Sequence, residues 1–445
     1  MTTKAMPPSP PGRFLLGHLG ELRKDVLSFY ARVAREQGDV ALVRFGLKPV
    51  YVLSHPEAIE EVLTSRNFIK HYALRMNRRL LGNGLLSSEG DFWKRQRRLI
   101  QPAFLRERVN RYADTMVAYS ERWAGVWRDG EVRNIHADMR QLTMEIAART
   151  LFGADVEGQG PIVAQALLDV MESFSSRLFS VLRLPESFPT PSNIRAWRAV
   201  KRLDAILYGL IRDRRAEGTQ EDLLSILLHA RNEDDGTGMS DKQLRDEAMT
   251  LFLAGHETTA LALTYTLWLL GQHPEIQERI RAEVRQAAGD GPLEASHFPR
   301  LSLTEGVVNE GMRLYPPAYA VGRQAVEPCE VAGYRIPAGG TLLMLQWVVH
   351  RDARWWPDPL RFNPDRWANN LARRLPNLCF FPFGGGPRTC IGNHFAMIES
   401  VLVLAVLLRH WRIEAVTPQL QFRPRLTLAP ASPVEVRLHR ISGTA

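Results

Sequence analysis

One long apolar stretch, Met249 to Leu270, sets the scale of any fold this chain can adopt. Ser240 stands before the stretch in an N-cap position, with Gln243 three residues later as in a capping box, and Pro274 follows the stretch. We therefore predict one helix from Ser240 to about Gln272, roughly 48 Å long at about 1.5 Å per residue. A helix of that length crosses a whole domain, so other elements must enclose it.

The same stretch argues against a membrane span. It carries His256 and Glu257 near its middle, and a charged side chain at the centre of a bilayer is costly, so we expect this helix to lie inside protein. The N-terminus, MTTKAMPPSPPGRFLLGHLGEL, lacks the features of a signal peptide, because its apolar run is short and prolines precede it. We predict a cytoplasmic protein with no membrane anchor.

Composition and charge narrow the class further. Hydrophobic residues make up 45 % and charged residues 24 %, which is ordinary for a globular protein. Cys329, Cys379 and Cys390 give no disulfide framework, which favours a reducing compartment. The net charge of +9 could attract nucleic acid, an anionic membrane or an acidic protein. The sequence has no zinc-finger spacing and no RNA-binding signature, so we predict no nucleic-acid partner.

The distribution of patterns along the chain predicts a mainly α fold with a small β-rich part. No internal repeat and no Gly/Ser linker divides the sequence, so we expect a single domain, 1–445, whose proline-rich N-terminus, 1–12, is extended. Alternating residues from Asp39 to Ser54 predict a strand pair. A mostly helical pattern follows from His55 to Gly311, and strands return from Val331 to Val349.

A glycine-rich loop, FPFGGGPRTCIGNHFAMIE from Phe381 to Glu399, places Cys390 at the start of a second apolar helix. The free backbone N–H groups and the positive end of a helix both favour a thiolate there, and Arg388 adds to that effect. The thiolate would ligate a metal or attack a substrate. The alternative is a buried structural cysteine. The glycines, the arginine and the helix start together favour the chemical role.

The motif AGHETT, Ala254 to Thr259, interrupts the apolar character of the long helix. Gly255 inside a helix costs about 1 kcal/mol relative to alanine. One interpretation is a locally opened helix beside a ligand, with Glu257 and Thr258 as a proton-relay pair. The other is a kink in which the threonine hydroxyl bonds to the carbonyl four residues earlier. The residues alone favour neither.

Two further constellations are weaker when each is taken alone. SLTEGVVNEGMRLYPP predicts a second capping box from Ser302 and Glu305, and then places Glu310 and Arg313 on one helix face. That pair is either a solvated surface pair or part of a triad with Arg366 of FNPDRW.

The segment DFWKRQRR places Trp93 and Arg97 on one helix face. An indole N–H and a guanidinium on the same face suit an anionic ligand group. A solvated basic helix is the alternative.

Together these residues resemble the cytochrome P-450 superfamily, the haem-thiolate monooxygenases, over essentially the whole chain. The family's Cys loop, Phe-x-x-Gly-x-Arg-x-Cys-x-Gly, is matched by Phe383, Gly386, Arg388, Cys390 and Gly392. The other family motifs are matched, in family order, by Trp93 and Arg97; by Ala254, Gly255, Glu257 and Thr258; and by Glu310 and Arg313 with Arg366.

The resemblance implies a cytochrome P-450 fold with haem b held between the long central helix and the helix that follows the Cys loop. Cys390 would be the proximal thiolate ligand of the iron, and Thr258 with Glu257 would deliver protons for O–O cleavage. The further cofactor-binding residues implied are Trp93, Arg97, Arg388, Arg323 and His71 near the propionates, together with Phe383, Gly392, Ala254 and Gly255.

The implied reaction inserts one atom of O2 into an apolar fatty acid, terpenoid or steroid-like substrate. A separate ferredoxin or flavodoxin with its reductase would supply electrons, docking near Lys94, Arg95 and Arg98. The pocket would draw on 78–86, 174–181, Phe252, Ala254, 318–321 and the turn near Leu428.

Two alternatives stay open on the sequence: a peroxide-driven peroxygenase or isomerase on the same fold, and a non-catalytic haem or lipid-binding protein. Peroxide-driven members often lose the acid–threonine pair that this chain retains. A binding protein would leave that pair without a role.

Overall fold

The computed structural model describes residues 6–71, 78–154, 186–218, 222–231 and 236–441, with seven positions between 163 and 173. The α-helices are α1 Leu19–Gln37, α2 Pro56–Thr64, α3 Arg78–Leu81, α4 Gly90–Ile100, α5 Arg106–Val126, α6 Ile135–Phe152, α7 Pro191–Glu217, α8 Leu223–His229, α9 Asp241–Leu270, α10 Pro274–Ala288, α11 Ser302–Leu314, α12 Gln346–Val349, α13 Leu371–Arg374 and α14 Asn393–His410. The strands are β1 Val40–Phe45, β2 Lys48–Leu53, β3 Phe68–Lys70, β4 Val132–Asn134, β5 Val321–Ala325, β6 Cys329–Val331, β7 Tyr334–Ile336, β8 Thr341–Met344, β9 Trp411–Ala415, β10 Phe422–Pro424, β11 Leu428–Pro430 and β12 Glu435–Arg440.

The strands form small sheets around a helical body, as the mainly α prediction requires. The largest has the order β1-β2-β8-β5-β3, in which β2 and β8 are parallel and the other pairs antiparallel. The predicted strand pair between residues 39 and 54 is the β1–β2 hairpin. A second sheet has the order β4-β12-β9, and β6–β7 and β10–β11 are two-stranded.

The predicted long helix is α9, whose 30 residues span about 45 Å. The Ser240 hydroxyl caps it by accepting the Gln243 backbone N–H at 3.3 Å. At the described start of α9 only this half of the predicted capping box is formed. Every residue from Thr259 to Leu270 is buried, because α6, α7, α11 and α14 pack around α9.

The helix after the Cys loop, α14, is the second core element. Its residues 398–408 are all buried, and it packs against α5 and α9. Within the described part of the chain, α14 is also the one helix long and apolar enough to cross a membrane. The buried core helix of a globular protein passes that test equally well, so the result is weak support for a span.

The predicted capping box at Ser302 and Glu305 is wrong. Ser302 is already helical, and the first free N–H groups of α11 are satisfied from outside the helix. The carboxylate of Glu283, on α10, accepts the backbone N–H groups of Leu303 and Thr304 at 2.6 and 2.9 Å. A neighbouring helix therefore provides the cap that the local sequence seemed to supply.

The interpretation of Glu310 and Arg313 as a solvated surface pair is also wrong. Both side chains have no exposed surface, and two hydrogen bonds of 2.9 and 2.8 Å join them. The predicted third member, Arg366, donates to Glu310 at 2.9 Å, and the Trp367 indole donates at 3.0 Å. The network ties α11 to the irregular segment that leads into the Cys loop.

Candidate active site

The Cys loop is held against the end of α2. Gly386 has a φ of 66°, and a Cβ added there would lie 2.1 Å from the carbonyl oxygen of Leu63, so only glycine fits. The Cys390 backbone N–H donates to the carbonyl of Phe383 at 2.9 Å, which closes the loop. Of the three glycines, Gly386 is thus required by packing against α2.

The Cys390 side chain is accessible in a densely packed part of the protein. The side chain keeps accessible surface, yet enough protein surrounds it that burial raises the pKa of the thiol. The backbone N–H of Gly392, at the start of α14, donates to the sulfur, and the charges of Arg97 and Lys70 also act to lower the pKa. These three groups stabilise a thiolate, and the sulfur remains accessible to a ligand.

A cluster of cationic side chains surrounds the loop. The guanidinium of Arg388 lies 3.8 Å from the centre of the Trp93 ring, donates to the carbonyl of Ser88 at 3.0 Å and forms an ion pair with Glu89. Arg97 donates to the carbonyl of Thr389 at 2.9 Å. Burial lowers the pKa of both guanidinium groups. The predicted alignment of Trp93 and Arg97 on α4 therefore faces the Cys loop.

Strands β3 and β5 complete the cluster. Lys70 is the register partner of Arg323, and burial lowers the pKa of Lys70 to about 7 and that of Arg323 to about 10. His71 directly follows β3 and packs closely against Gly322 of β5. A Cβ added to Gly322 would lie 2.7 Å from the Cβ of His71. Three cationic side chains, Lys70, Arg323 and Arg388, thus interact with the carboxylate of Glu89, and Arg97 lies within electrostatic range of Arg388. Such a site is built for further negative charge.

The middle of α9 supplies an accessible face in an otherwise buried helix. Ala254 is exposed and Thr258 is half-buried, while the flanking turns are packed. The Thr258 hydroxyl donates to the carbonyl of Ala254 at 2.6 Å. The helix is continuous through Gly255, which contradicts the interpretation of a locally opened helix, and the threonine bond to the carbonyl four residues earlier is present. The lone pairs of the Thr258 oxygen stay available to accept a hydrogen bond.

Glu257 projects from the same turn into a polar cluster with α6. The Nε atom of Arg140 lies 3.7 Å from the Glu257 carboxylate, and Arg140 Nε makes no hydrogen bond. His136, also on α6, is within electrostatic range of Glu257, and burial lowers the pKa of this imidazole to about 4. Glu257 is half-buried, so it connects this interior cluster to the accessible side of the helix.

A second carboxyl group approaches the same turn from α14. Glu399 is buried, and a side-chain hydrogen bond joins its carboxyl group to Thr259, the residue after Thr258. Burial raises the pKa of Glu399 well above its ordinary value, and its Oε1 atom has no partner. Acidic groups therefore lie on two sides of the Thr258 turn.

The comparisons with known proteins agree with this geometry. Residues 7–437 match the family described as Cytochrome P450. The chain belongs to the cytochrome P450 family. It is 35 % identical to cyclooctat-9-en-7-ol 5-monooxygenase of Streptomyces melanosporofaciens, with 93 % of this chain and 90 % of the relative covered. It is 33 % identical to pentalenene oxygenase of Streptomyces avermitilis, with 97 % and 96 % covered.

Membership settles the fold, the enzyme class and the cofactor. This cytochrome P450 is a haem-thiolate monooxygenase with haem b, iron protoporphyrin IX. The described residues fit that group: Cys390 is accessible for an iron ligand, Lys70, Arg97, Arg323 and Arg388 offer positive charge near its loop for two propionates, and Ala254 leaves an accessible face on α9. The thiolate-ligated iron of the bound cofactor supplies the O2 chemistry.

The sequence patterns did not predict three residues of the site. Lys70 adjoins His71, but only the register of β3 against β5 places Lys70 beside Arg323. Glu89 could have been noticed as an acid just before α4, and Glu399 as an acid inside the apolar run of α14. Neither signal predicts a partner, because those partners come from distant parts of the chain.

Proposed function

We propose that Cys390 is the axial thiolate ligand of the haem and that the surrounding cations hold its propionates. The observation that carries this proposal is the Cys390 side chain itself, accessible in a densely packed part of the protein and approached by the N–H of Gly392. The ring of Trp93 packs against the guanidinium of Arg388 and so fixes its position. Arg97, Arg323, Lys70 and His71 complete the propionate site, and Phe383 and Gly392 shape the loop beneath the ring.

We further propose that Thr258 and Glu257 manage protons on the distal side. With its own proton donated to Ala254, the Thr258 oxygen accepts a hydrogen bond from a pocket water and so fixes that water in place. Glu257, beside Arg140 and half-buried, exchanges protons with solvent. Ala254 keeps this face of α9 free of bulk, and Gly255, next to it, faces Leu151 of α6.

The substrate proposed is an apolar terpenoid. The names of the relatives, which refer to cyclooctat-9-en-7-ol, cyclooctatin and pentalenene, favour this branch of the sequence-based expectation. Buried Phe252 and half-buried residues 318–321 support an apolar pocket. Leu428 is fully buried, and its backbone N–H donates to the carbonyl of Pro317, so the turn near Leu428 lies next to residues 318–321. The expected pocket segment 174–181 and part of 78–86, namely the side chain of Arg78, lie outside the described residues.

The electron donor proposed is a separate ferredoxin or flavodoxin with its reductase, acting on a single-domain enzyme in the cytoplasm. The expected docking face on α4 carries cations that also have partners within the chain. Lys94 is paired with Asp91 at 2.8 Å, and Arg95 donates to the Thr237 hydroxyl at 2.6 Å. Arg98 is exposed on the same helix, and we propose that it meets the acidic carrier together with these neighbours.

A binding screen followed by turnover tests the proposal. Haem-loaded protein is titrated with cyclic terpene hydrocarbons and with fatty acids of matched carbon number, and the displacement of axial water is followed in the Soret band. Compounds that bind are then incubated with O2, a surrogate ferredoxin and its reductase, or with peroxide alone. We expect hydroxylated terpenoid only with the redox system. Fatty-acid binding would overturn the substrate class, and product from peroxide alone would favour the peroxygenase.

A further inference from the structure

The chain reverses direction sharply just before α1 and exposes apolar side chains at the reversal. Arg13 and Gly17 exchange both of their backbone hydrogen bonds, at 3.0 and 2.8 Å. The three residues between them are Phe14, Leu15 and Leu16, whose exposed fractions are 92, 64 and 37 %. A run of large apolar residues at a turn is unfavourable in water unless something covers it.

The turn of the β1–β2 hairpin lies directly beside this reversal. Gly17 forms a β-bridge with Phe45, and a Cβ added to Gly17 would lie 2.5 Å from the carbonyl oxygen of Arg44. Leu47, at the tip of the hairpin, is 74 % exposed. Phe14, Leu15, Leu16 and Leu47 therefore form one prominence, which we call the apolar tip.

The apolar tip is fixed to the body of the protein by a buried histidine. The backbone N–H of Arg44 donates to His18 Nδ1 at 2.9 Å, so Nε2 carries the imidazole proton and donates to the carbonyl of Pro10 at 3.1 Å. The His18 backbone N–H donates in turn to the carbonyl of Arg44 at 2.9 Å. The tip is thus a shaped part of the fold and not a frayed terminus.

The charged residues within the two segments that form the apolar tip all have one sign. Residues 6–20 and 40–50 contain Arg13, Arg44 and Lys48 and no aspartate or glutamate. All three cationic side chains are exposed. The prominence therefore combines an apolar apex with a cationic base, which complements a surface whose outer layer is anionic and whose interior is apolar.

We propose that the apolar tip inserts into the headgroup region of an anionic lipid bilayer, with Arg13, Arg44 and Lys48 against the lipid phosphates. Interfacial groups of this kind reach about 5–10 Å into the boundary of the acyl chains. The tip is too small for a second copy of this chain, since stable protein interfaces use roughly 20–30 residues on each side. The inference goes beyond the proposed function and does not depend on it.

Flotation with lipid vesicles tests the proposal on the full-length, haem-loaded protein. One set of vesicles is pure phosphatidylcholine, and in the other about a third of the lipid is anionic phosphatidylglycerol, so that three cations gain measurable attraction. We expect binding to the anionic vesicles only. The triple variant Arg13→Glu, Arg44→Glu, Lys48→Glu should weaken it at least about 100-fold, at roughly fivefold per cation removed.

The apolar contribution is tested with a triple variant that combines Phe14→Ser, Leu15→Ser and Leu47→Ser. We expect at least tenfold weaker binding, which corresponds to the loss of burial of about one large apolar side chain. The matched controls are Leu360→Ser, at a site as exposed as Leu47, and Arg212→Glu, whose side chain is 80 % exposed. Both controls should bind as the wild type does. Wild-type protein that ignores anionic vesicles, or tip variants that bind equally well, would overturn the proposal. The proposal would also be overturned if the tip variants lost only the self-association of lipid-free protein, because the apolar tip would then contact a second copy of this chain.

Discussion

Both carboxylate oxygens of Glu310 receive hydrogen bonds from the guanidinium of Arg313, at 2.9 and 2.8 Å, with neither side chain exposed to solvent. Arg313 also donates to the carbonyls of His350 and Pro359, at 2.8 and 2.7 Å. The pair therefore holds together α11, the end of α12 and the segment before the Cys loop. Its geometry gives it a structural role in the fold next to the Cys loop.

Glu310→Ala should destabilise the protein by about 3–5 kcal/mol, because Arg313 is left buried without its counter-charge. We expect little haem-loaded protein, measured as the ratio of Soret to protein absorbance after expression. Glu107→Ala is the matched control. It breaks an exposed pair with Arg111 that is 3.3 Å long, and such pairs contribute at most about 1 kcal/mol. Equal haem loading in both variants would contradict the structural role.

Cys390→Ser should abolish the red-shifted Soret band of the reduced carbon-monoxide complex, because an oxygen ligand replaces the thiolate. The controls are Cys379→Ser, at a buried site, and Cys329→Ser, at a half-buried one. Both lie away from the Gly392 N–H and should keep the band. A Cys390→Ser protein with an unchanged band would remove this residue as the ligand.

Glu247 gives a prediction about pH. It is fully buried on α9, accepts the Leu85 backbone N–H at 2.8 Å, and has its pKa raised by burial from 4.5 to about 8. Between these two values the folded protein keeps a proton that the unfolded chain releases, so stability falls as pH rises through this window. Above about pH 8 the whole loss is present.

Glu247→Gln keeps the shape and the acceptor but has no proton to lose. Urea unfolding of variant and wild type at acidic, neutral and alkaline pH should give midpoints that diverge as pH rises, with the variant more stable at the alkaline end. Parallel curves would show that Glu247 does not titrate in this range.

Electron delivery should depend on salt and on Arg98. If an acidic ferredoxin docks near α4, raising the ionic strength will slow reduction, because exposed charges are screened beyond about 10 Å at roughly 0.1 M salt. Arg98→Glu should slow reduction at low salt and leave the haem spectrum intact. Arg35→Glu, whose side chain is 75 % exposed on α1, is the control and should not change the rate. Equal rates in the two variants would place the carrier on another face.

The sequence predicted what rests on local pattern or on a motif: the long helix α9, the β1–β2 hairpin, the helix start after Cys390 and the pairing of Glu310 with Arg313. The prediction failed where a contact with a distant residue determines the local structure. Glu283 caps α11 in place of Ser302, and the carbonyl of Leu63 explains Gly386. Such contacts depend on tertiary packing, which no periodicity encodes.

Thr258 is the residue that separates a coupled monooxygenase from the alternatives. Its hydroxyl donates to the carbonyl of Ala254 at 2.6 Å, which leaves the oxygen lone pairs available as acceptors. We propose that they hold a pocket water that supplies protons. Positioned proton donors contribute typically about 10²–10⁴-fold, although a mobile pocket water can replace part of this effect. Thr258→Ala should therefore still bind haem and substrate and still consume reductant. It should form less product and more hydrogen peroxide for each reductant consumed.

Thr264→Ala is a matched control for this variant, because Thr264 makes the same bond to the carbonyl of Ala260, at 2.6 Å, in a fully buried turn of α9. Its loss removes a hydroxyl and a back-bond but no water at the site, so the ratio of product to reductant should stay at the wild-type value. Added hydrogen peroxide should partly restore product in Thr258→Ala, since it brings its own protons. Equal coupling in wild type and Thr258→Ala would take Thr258 out of the mechanism and favour the peroxide-driven or non-catalytic alternatives.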